Sequence, residues 1–459
     1  MRRKFGFLLV VFCLTLICSA HIIPSFAADD TALPPSADEA EAVYLVHVES
    51  GTPVFEKNAT ETVSAGSTVK VMAGLLACET LADRLYEEVA ITAEMVNSSA
   101  GYRLYIKVGD ILTVEQLLYA AICASYNDAF DALAVYIAGS KDAFVERMNT
   151  RAVEIGCDHT FFSDPSGVDD ASRTDADDLY RIAKQAYENT LYMQICSTVR
   201  YSFTGSHKLD ARTFYNRNAL VSKTMTDKYF NAKCKGMSAG YTERGGSCVV
   251  TAANKGEDTY ICIVMGAPET EETTYGYLVV NRFLAWCFDA FGYQTLLSPD
   301  QAVCTVPVTV SDTVHEMELR VAEPFSCFLP LTAEIGTDVT FSIRLNTPLL
   351  EAPVSEGMPV GYVAILYRGQ QIEILPLYTA GAAERSAFVG ALKGIQALTQ
   401  NRAFMAGLIF FTVGICVWAV TEALLKRQRR LKWDKYFSMK MTPSPTALQT
   451  KPDKNKTPK

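Results

Sequence analysis

The run "AFMAGLIFFTVGICVWAVT", residues 403–421, carries no charged side chain across 19 positions. As an α-helix it would reach roughly 28 Å, close to the roughly 30 Å hydrocarbon layer of a bilayer. A soluble helix of that length keeps a polar face, so this segment is expected to cross a membrane. "KRQRRLK" follows it, and the positive-inside rule places the C-terminus in the cytoplasm. At the other end, Arg2, Arg3 and Lys4 precede the apolar "FGFLLVVFCLTLICSA", and Ser25 and Ala27 supply small residues before an expected cut after Ala27. That is the pattern of a secretory signal peptide. What lies between must fold outside the cytoplasm.

Charge follows the same division. The chain nets −9, yet the segment from Lys426 nets +9 and the first 27 residues +3, which leaves −21 for the body between them. An acidic exported body argues against nucleic acid as a partner. The basic tail, with Pro443, Pro445 and Pro452, is expected to be a lipid-facing segment and not a domain. Ten of the 13 cysteines fall outside the signal peptide and the membrane helix. Export permits disulfides, but no Cys-x-x-Cys occurs, and "LLACE", "AAICAS" and "YICIV" bury their cysteines in apolar runs. Mostly unpaired thiols are expected, with no metal site and no cofactor.

The body has an α+β pattern. Residues 43–60 alternate as two strands around Ser50-Gly51, and "STVKVMAGLLACETL" then turns to helical spacing through Val69, Met72, Leu75 and Leu76. Two apolar helices flank a break at Ser125-Tyr126-Asn127-Asp128, with Asp128 a candidate cap. Helices near 141–156 and 175–190 follow. Strand patterns return over 233–265, so the first and last strands are expected to share one sheet, closed by a helix over "YGYLVVNRFLAWCFDAF". From 302 to 378 the period is two with Gly and Pro turns, a small all-β domain. The predicted layout is a signal peptide 1–27, an α+β domain 28–298, an all-β domain 299–378, a linker 379–402, a transmembrane helix 403–425 and a basic tail 426–459.

Ser67-Thr68-Val69-Lys70 is the chain's single Ser-x-x-Lys, and it opens a helix. Spacing three puts both side chains on one face, where an amine can meet the hydroxyl. A lysine of lowered pKa can take the proton that makes serine a nucleophile, and the positive helix N-terminus favours the neutral amine. Ser125 and Asn127, in the break between apolar helices, either cap or face a cleft. A glycine-rich hairpin, "KCKGMSAGYTERGGSCVVTAA", comes third.

This ordered set resembles the penicillin-binding serine acyl-transferases, whose motif set is a known pattern. The stretches "VESGTPVFEKNATETVSAGSTVKVMAGLLACE", "GDILTVEQLLYAAICASYNDAFDALA" and "EIGCDHTFFSDPSGVDD", with "LEAPVSEGMPVGYVAI" further on, are similar to the low-molecular-mass D-alanyl-D-alanine carboxypeptidases over residues 40–378. The resemblance implies a β-lactamase/transpeptidase-like sheet flanked by helices, and removal of the terminal D-alanine from peptidoglycan stem peptides. It implies that Ser67 attacks, Lys70 takes its proton, Ser125 protonates the leaving amine and Asn127 holds the substrate amide. Backbone N–H groups of Ser67 and Tyr241 would form the oxyanion hole, and β-lactams would be covalent inhibitors. His159 matches no catalytic role. A β-lactamase is disfavoured, since no Glu-x-x-Leu-Asn supplies a deacylating base.

The resemblance also exposes a departure. The family's Lys-Thr-Gly aligns with Ser238-Ala239-Gly240, so the oxyanion donor of Tyr241 is kept while the cation and hydroxyl for the substrate carboxylate are lost. Lys233 and Lys235 lie at odd offsets from Ser238, which in a strand is the opposite face. Arg244 is a candidate substitute, and Tyr126, where a small residue is usual, could crowd the cleft. The expectation is a weakened carboxypeptidase; the alternative is a catalytically decayed, wall-binding or regulatory membrane protein.

Overall fold

The computed structural model describes residues 33–97, 99–203 and 210–440, so the expected signal peptide and the end of the basic tail lie outside the described residues. The chain divides into two compact units. The first runs to Leu296 and takes back Ser326–Glu334; the second holds Leu297–Phe325 and everything from Ile335.

In the first unit the alternating runs form a five-stranded antiparallel sheet. Its strands are β1 (Ala42–His47), β2 (Thr52–Lys57), β3 (Cys234–Thr242), β4 (Gly246–Lys255) and β5 (Asp258–Ala267), in the order β2-β1-β5-β4-β3. First and last strands pair as expected, Val43 opposite Val264 and Leu45 opposite Cys262. β1, β4 and β5 are buried on both faces because the sheet has helical cover on both, so they read as near-continuous apolar runs. On one side lies α3 (Tyr275–Ala290), whose Val279, Val280, Phe283 and Leu284 are fully buried. Phe328 of the returning segment joins that core and stacks on the buried His47 ring at 3.8 Å.

On the other side lies α1 (Val69–Leu81). It is buried nearly all round, through Val69, Val71, Met72, Leu75, Cys78 and Leu81, so it has almost no amphipathic signature. A central helix of this kind has no solvent face to which Lys70 could turn. Next in sequence, Thr113 and Gln116 form a reciprocal capping box at Val114–Leu118. The helix then widens into a π turn over Tyr119–Cys123, directly before Ser125. Such single wide turns concentrate at functional sites because they displace the following backbone. α2 (Asn127–Ala138) begins after it, and its N-cap is Tyr126, not Asp128. Asp128 is buried and accepts backbone N–H bonds from Leu104 at 2.9 Å and Ile106 at 3.2 Å. It therefore pins the 99–110 segment against the site.

The second unit carries a six-stranded sheet in the order Val339–Leu345, Pro359–Tyr367, Gln370–Thr379, Glu316–Arg320, Cys304–Thr309, Leu350–Glu351. Val306, Leu319, Val363, Ile365 and Leu377 are its buried centre. Ser386 caps a helix Ala387–Gln400, and a 39-residue helix Arg402–Lys440 follows. Its span Arg402–Tyr436 is long and apolar enough to cross a membrane, with a mean hydropathy of 2.3 in its most apolar window. Eight of the described cysteines, from Cys78 to Cys287, are buried free thiols, and Cys304 is half-buried and free.

Replacing Asp128 by Ala leaves two backbone N–H groups without an acceptor, each costing about 1–3 kcal/mol. Asp128→Ala is expected to lower the unfolding free energy by about 2–6 kcal/mol, measured by urea denaturation, and to expose the 99–110 segment to proteolysis.

Candidate active site

Ser67 sits in a 3₁₀ turn, Gly66–Thr68, that leads into α1, with the Thr68 hydroxyl donating to the Ala65 carbonyl at 2.6 Å. It is 6% exposed, and its Oγ has no hydrogen-bond partner. A buried hydroxyl without a partner costs stability, so its survival marks a group kept for an incoming ligand. Lys70 does not bond to it. The pair spans the junction between a three-residue turn and a 3.6-residue helix, and the Lys70 amine donates instead to the Ser125 carbonyl at 3.0 Å and the Ser125 Oγ at 2.8 Å. Burial pushes Lys70 down to about 7, and the Arg217 charge pushes the same way against a smaller opposing pull from Asp164.

Ser125 holds a left-handed backbone, φ 60°, a strained state for a residue with a Cβ. The π turn before it sets this up, with the Tyr126 N–H reaching back to the Ala120 carbonyl at 3.0 Å. Asn127 is 5% exposed; its Nδ2 donates to the Ala100 carbonyl at 2.8 Å, while its Oδ1 is buried without a donor. The Tyr126 ring stacks on Tyr102 at 4.7 Å with its edge towards Phe214, and it does not line the cleft. The expected crowding is therefore absent.

Across from these groups runs β3, an edge strand. The Ser238 hydroxyl donates to the Ser67 carbonyl at 3.2 Å and so ties the strand to the turn. Gly240 lies against Ser67: a Cβ there would sit 2.8 Å from the Ser67 Cβ and 3.0 Å from its Oγ. Gly167 is as constrained, since a Cβ on it would meet the Gly66 carbonyl oxygen at 2.1 Å. Ser67, Lys70, Ser125, Asn127, Gly240 and Tyr241 thus line one cleft of about 480 Å³. Ser238 borders a small adjoining cavity with Lys70, Ser125 and Arg217.

None of the three cations considered from sequence lines the cleft. Lys233 stands over the Phe288 ring at 4.2 Å, Lys235 lines a separate groove and Arg244 is exposed in the turn. Arg217 does line it. Its guanidinium lies 3.7 Å from the Tyr102 ring centroid and makes no ion pair among the described residues. The segment that carries it is fixed by neighbours: Asn216 Nδ2 donates to the carbonyls of Cys196 and Thr198, and Asn218 Oδ1 accepts from Leu220. The only sequence signal was a lone arginine between two asparagines. His159 bonds Asp175 at 2.8 Å and does not line the cleft.

Residues 29–269 match the D-alanyl-D-alanine carboxypeptidase family, and residues 291–385 match the C-terminal domain of penicillin-binding protein 5. Among curated relatives, the D-alanyl-D-alanine carboxypeptidase DacF of Bacillus subtilis is 27% identical over 360 residues, covering 78% of this chain and 89% of that protein. DacC of Escherichia coli K12 is 28% identical over 380 residues, covering 80% and 89%. Penicillin-binding protein 5 from Haemophilus influenzae shares the fold at a TM-score of 0.54 and 24% identity, covering 77% of this chain and 99% of that one. The carboxypeptidase DacD from Francisella tularensis does so at a TM-score of 0.57 and 19% identity, covering 77% and 96%. The fold is that of a low-molecular-mass penicillin-binding protein. The chain belongs to the D-alanyl-D-alanine carboxypeptidase family and is a hydrolase of that type. These relatives are carboxypeptidases by name and lend nothing to the alternative of a decayed regulator.

A side chain at position 240 has nowhere to go without moving Ser67. Gly240→Ala is expected to slow covalent labelling of the protein by a fluorescent penicillin at least tenfold, with an unfolding temperature close to that of the parent.

Proposed function

We propose that the protein removes the terminal D-alanine from peptidoglycan stem peptides through an acyl-enzyme on Ser67. The observation that carries this is a buried, unbonded hydroxyl sharing a cleft with an amine whose pKa burial lowers to about 7, so that its neutral form is available there. The neutral Lys70 amine takes the Ser67 proton as Oγ bonds to the carbonyl carbon of the D-Ala–D-Ala bond. From Lys70 the proton passes to Ser125 Oγ, 2.8 Å away, and on to the leaving nitrogen as the C–N bond breaks. The N–H groups of Ser67 and Tyr241 stabilise the oxyanion. The free Asn127 Oδ1 accepts a substrate amide N–H. Water then cleaves the ester and returns the proton along the same path.

Arg217 takes the terminal carboxylate in place of the missing Lys-Thr pair. It is a fixed cation without an ion-pair partner in a cleft that otherwise lacks a free one for an anion, and guanidinium geometry suits a carboxylate. Its charge also helps to depress Lys70, which couples substrate recognition to the base. The catalytic body faces the cell exterior, held by the helix Arg402–Tyr436, with the basic segment from Lys426 on the cytoplasmic side. β-Lactams acylate the same serine.

Fluorescent penicillin is expected to label the full-length protein and to leave Ser67→Ala unlabelled; persistent labelling of that variant would place the nucleophile elsewhere. A charged hydrogen bond is worth about 1.5–3 kcal/mol, so Arg217→Gln should lower kcat/KM for a D-Ala-D-Ala peptide roughly ten- to a hundredfold. Activity needs the neutral Lys70 amine, so it should rise with pH through about 7. Removing the Arg217 charge raises the lysine pKa and should move that limb to higher pH.

A further inference from the structure

The loop between the helices Lys141–Ile155 and Ala176–Glu188 supplies one wall of the cleft, through Ser166, Gly167, Val168 and Asp170. Its two ends close on each other. Phe161 and Arg173 exchange backbone N–H bonds at 2.8 Å, and Gly167 packs onto Gly66 beside the nucleophile. Just outside that closure, His159 from one end meets Asp175 and Asp178 from the other, with one ligand atom of each within 4.8 Å of the others. The His159 Nδ1 lies 2.8 Å from Asp175 Oδ2, and the His159 side chain is 57% exposed. Both carboxylates are buried, Asp178 at 3% exposure. Asp178 Oδ2 accepts the His159 N–H and the Thr160 hydroxyl, each at 2.8 Å, while its Oδ1 has no donor among the described residues. Neither carboxylate has a Lys or Arg partner among the described residues, and Arg181 is held by Asp177 at 2.8 Å.

Buried carboxylates are paired with a cation or ligate a metal. A lone imidazole supplies at most one charge against two, and only when protonated. We propose that His159, Asp175 and Asp178 bind a divalent ion of the zinc type, which staples together the two ends of the 160–174 loop. An imidazole with carboxylates suits zinc and its transition-metal neighbours, whereas calcium and magnesium favour all-oxygen sets. A tetrahedral ion with bonds of about 2.0–2.2 Å sets its ligands about 3.4 Å apart. The 2.8 Å pair must therefore open and the wider pairs close, which rotation of the exposed imidazole allows. Nδ1 then gives its lone pair to the metal and its proton moves through water to Nε2, so the ring stays neutral. The two carboxylates balance the charge of the ion, and a water takes the fourth position. His159 does not line the cleft, so the ion has no part in acyl transfer; it acts on the loop that walls the cleft. No metal motif reads from the sequence because the aspartates lie 16 and 19 residues after the histidine.

The test uses untagged full-length protein in neutral detergent, freed of metal with a chelator and titrated with zinc chloride by calorimetry. One equivalent is expected to bind, to raise the unfolding temperature and to slow amide hydrogen exchange over 160–174. Cobalt(II) in its place should give the visible absorption of a nitrogen- and oxygen-ligated ion. His159→Ala removes a ligand at an exposed position and keeps the backbone bond from residue 159 to Asp178. It should weaken zinc binding by more than the about 10- to 100-fold that outer-shell losses cost, and remove the protection of the loop. Asp178→Asn should weaken binding likewise; if it fails to fold, His159→Ala decides alone. His315→Ala, at an exposed histidine elsewhere, should bind as the parent does. Absence of stoichiometric binding, or binding that survives His159→Ala, overturns the proposal. Zinc binding that leaves exchange over 160–174 unchanged overturns it too, since the ion would then staple nothing. None of these readouts involves turnover, so they stand or fall apart from the acyl-enzyme reading, which penicillin labelling tests.

Discussion

The amine of Lys70 has to be held out of water without a counter-ion, and much of the first unit serves that requirement. A lysine on an ordinary amphipathic helix would turn its head to solvent. α1 offers no such face, because it is buried nearly all round between the sheet and the other helices. The amine can reach only the cleft, where the Ser125 carbonyl and hydroxyl accept its protons. Desolvation disfavours the charged form of a lysine, and the nearby Arg217 adds to that effect. The strained backbone of Ser125 belongs to the same arrangement. The π turn and the left-handed φ aim both acceptors of one residue at a single amine.

The geometry also clarifies what Ser238-Ala239-Gly240 retains and what it gives up. Gly240 keeps the close approach of strand and nucleophile turn, and Ser238 adds a direct bond to the Ser67 carbonyl. The framework that would aim an oxyanion donor therefore does not depend on lysine or threonine. What the motif gives up is the positive clamp at that end of the cleft. Arg217 reaches the same end from a different segment, so the electrostatic role is separable from the backbone role. A weakened enzyme follows more naturally from this than a dead one.

Much of the architecture was legible in the sequence. Alternation marked the strands around Ser50-Gly51 and over 233–265, and helical spacing marked α1 and α3. The break at Ser125 stood out because polar residues interrupted two apolar runs. Other features depended on tertiary placement. Period-two alternation says that 325–330 is a strand but not which sheet it joins; it returns to the first unit because Phe328 fits between His47 and Phe291. Asp128 read as a cap from its position after the break, yet the N–H groups it satisfies lie over twenty residues upstream. The partner of Lys70 was misjudged because helical spacing assumes one uniform helix, whereas Ser67 sits in a tighter turn. Arg217 carried no periodic signal in an irregular segment, so nothing short of the fold could set it beside Tyr102 and the cleft.

The central claim is that position 70 carries a base, an amine that loses its proton near pH 7 and not in the ordinary lysine range. Titrating its side-chain nitrogen in lysine-labelled protein by NMR, with Lys70→Arg to assign the resonance, tests that without reference to turnover. The account predicts a midpoint of about 7. A midpoint near the ordinary lysine value of about 10.4 would contradict it.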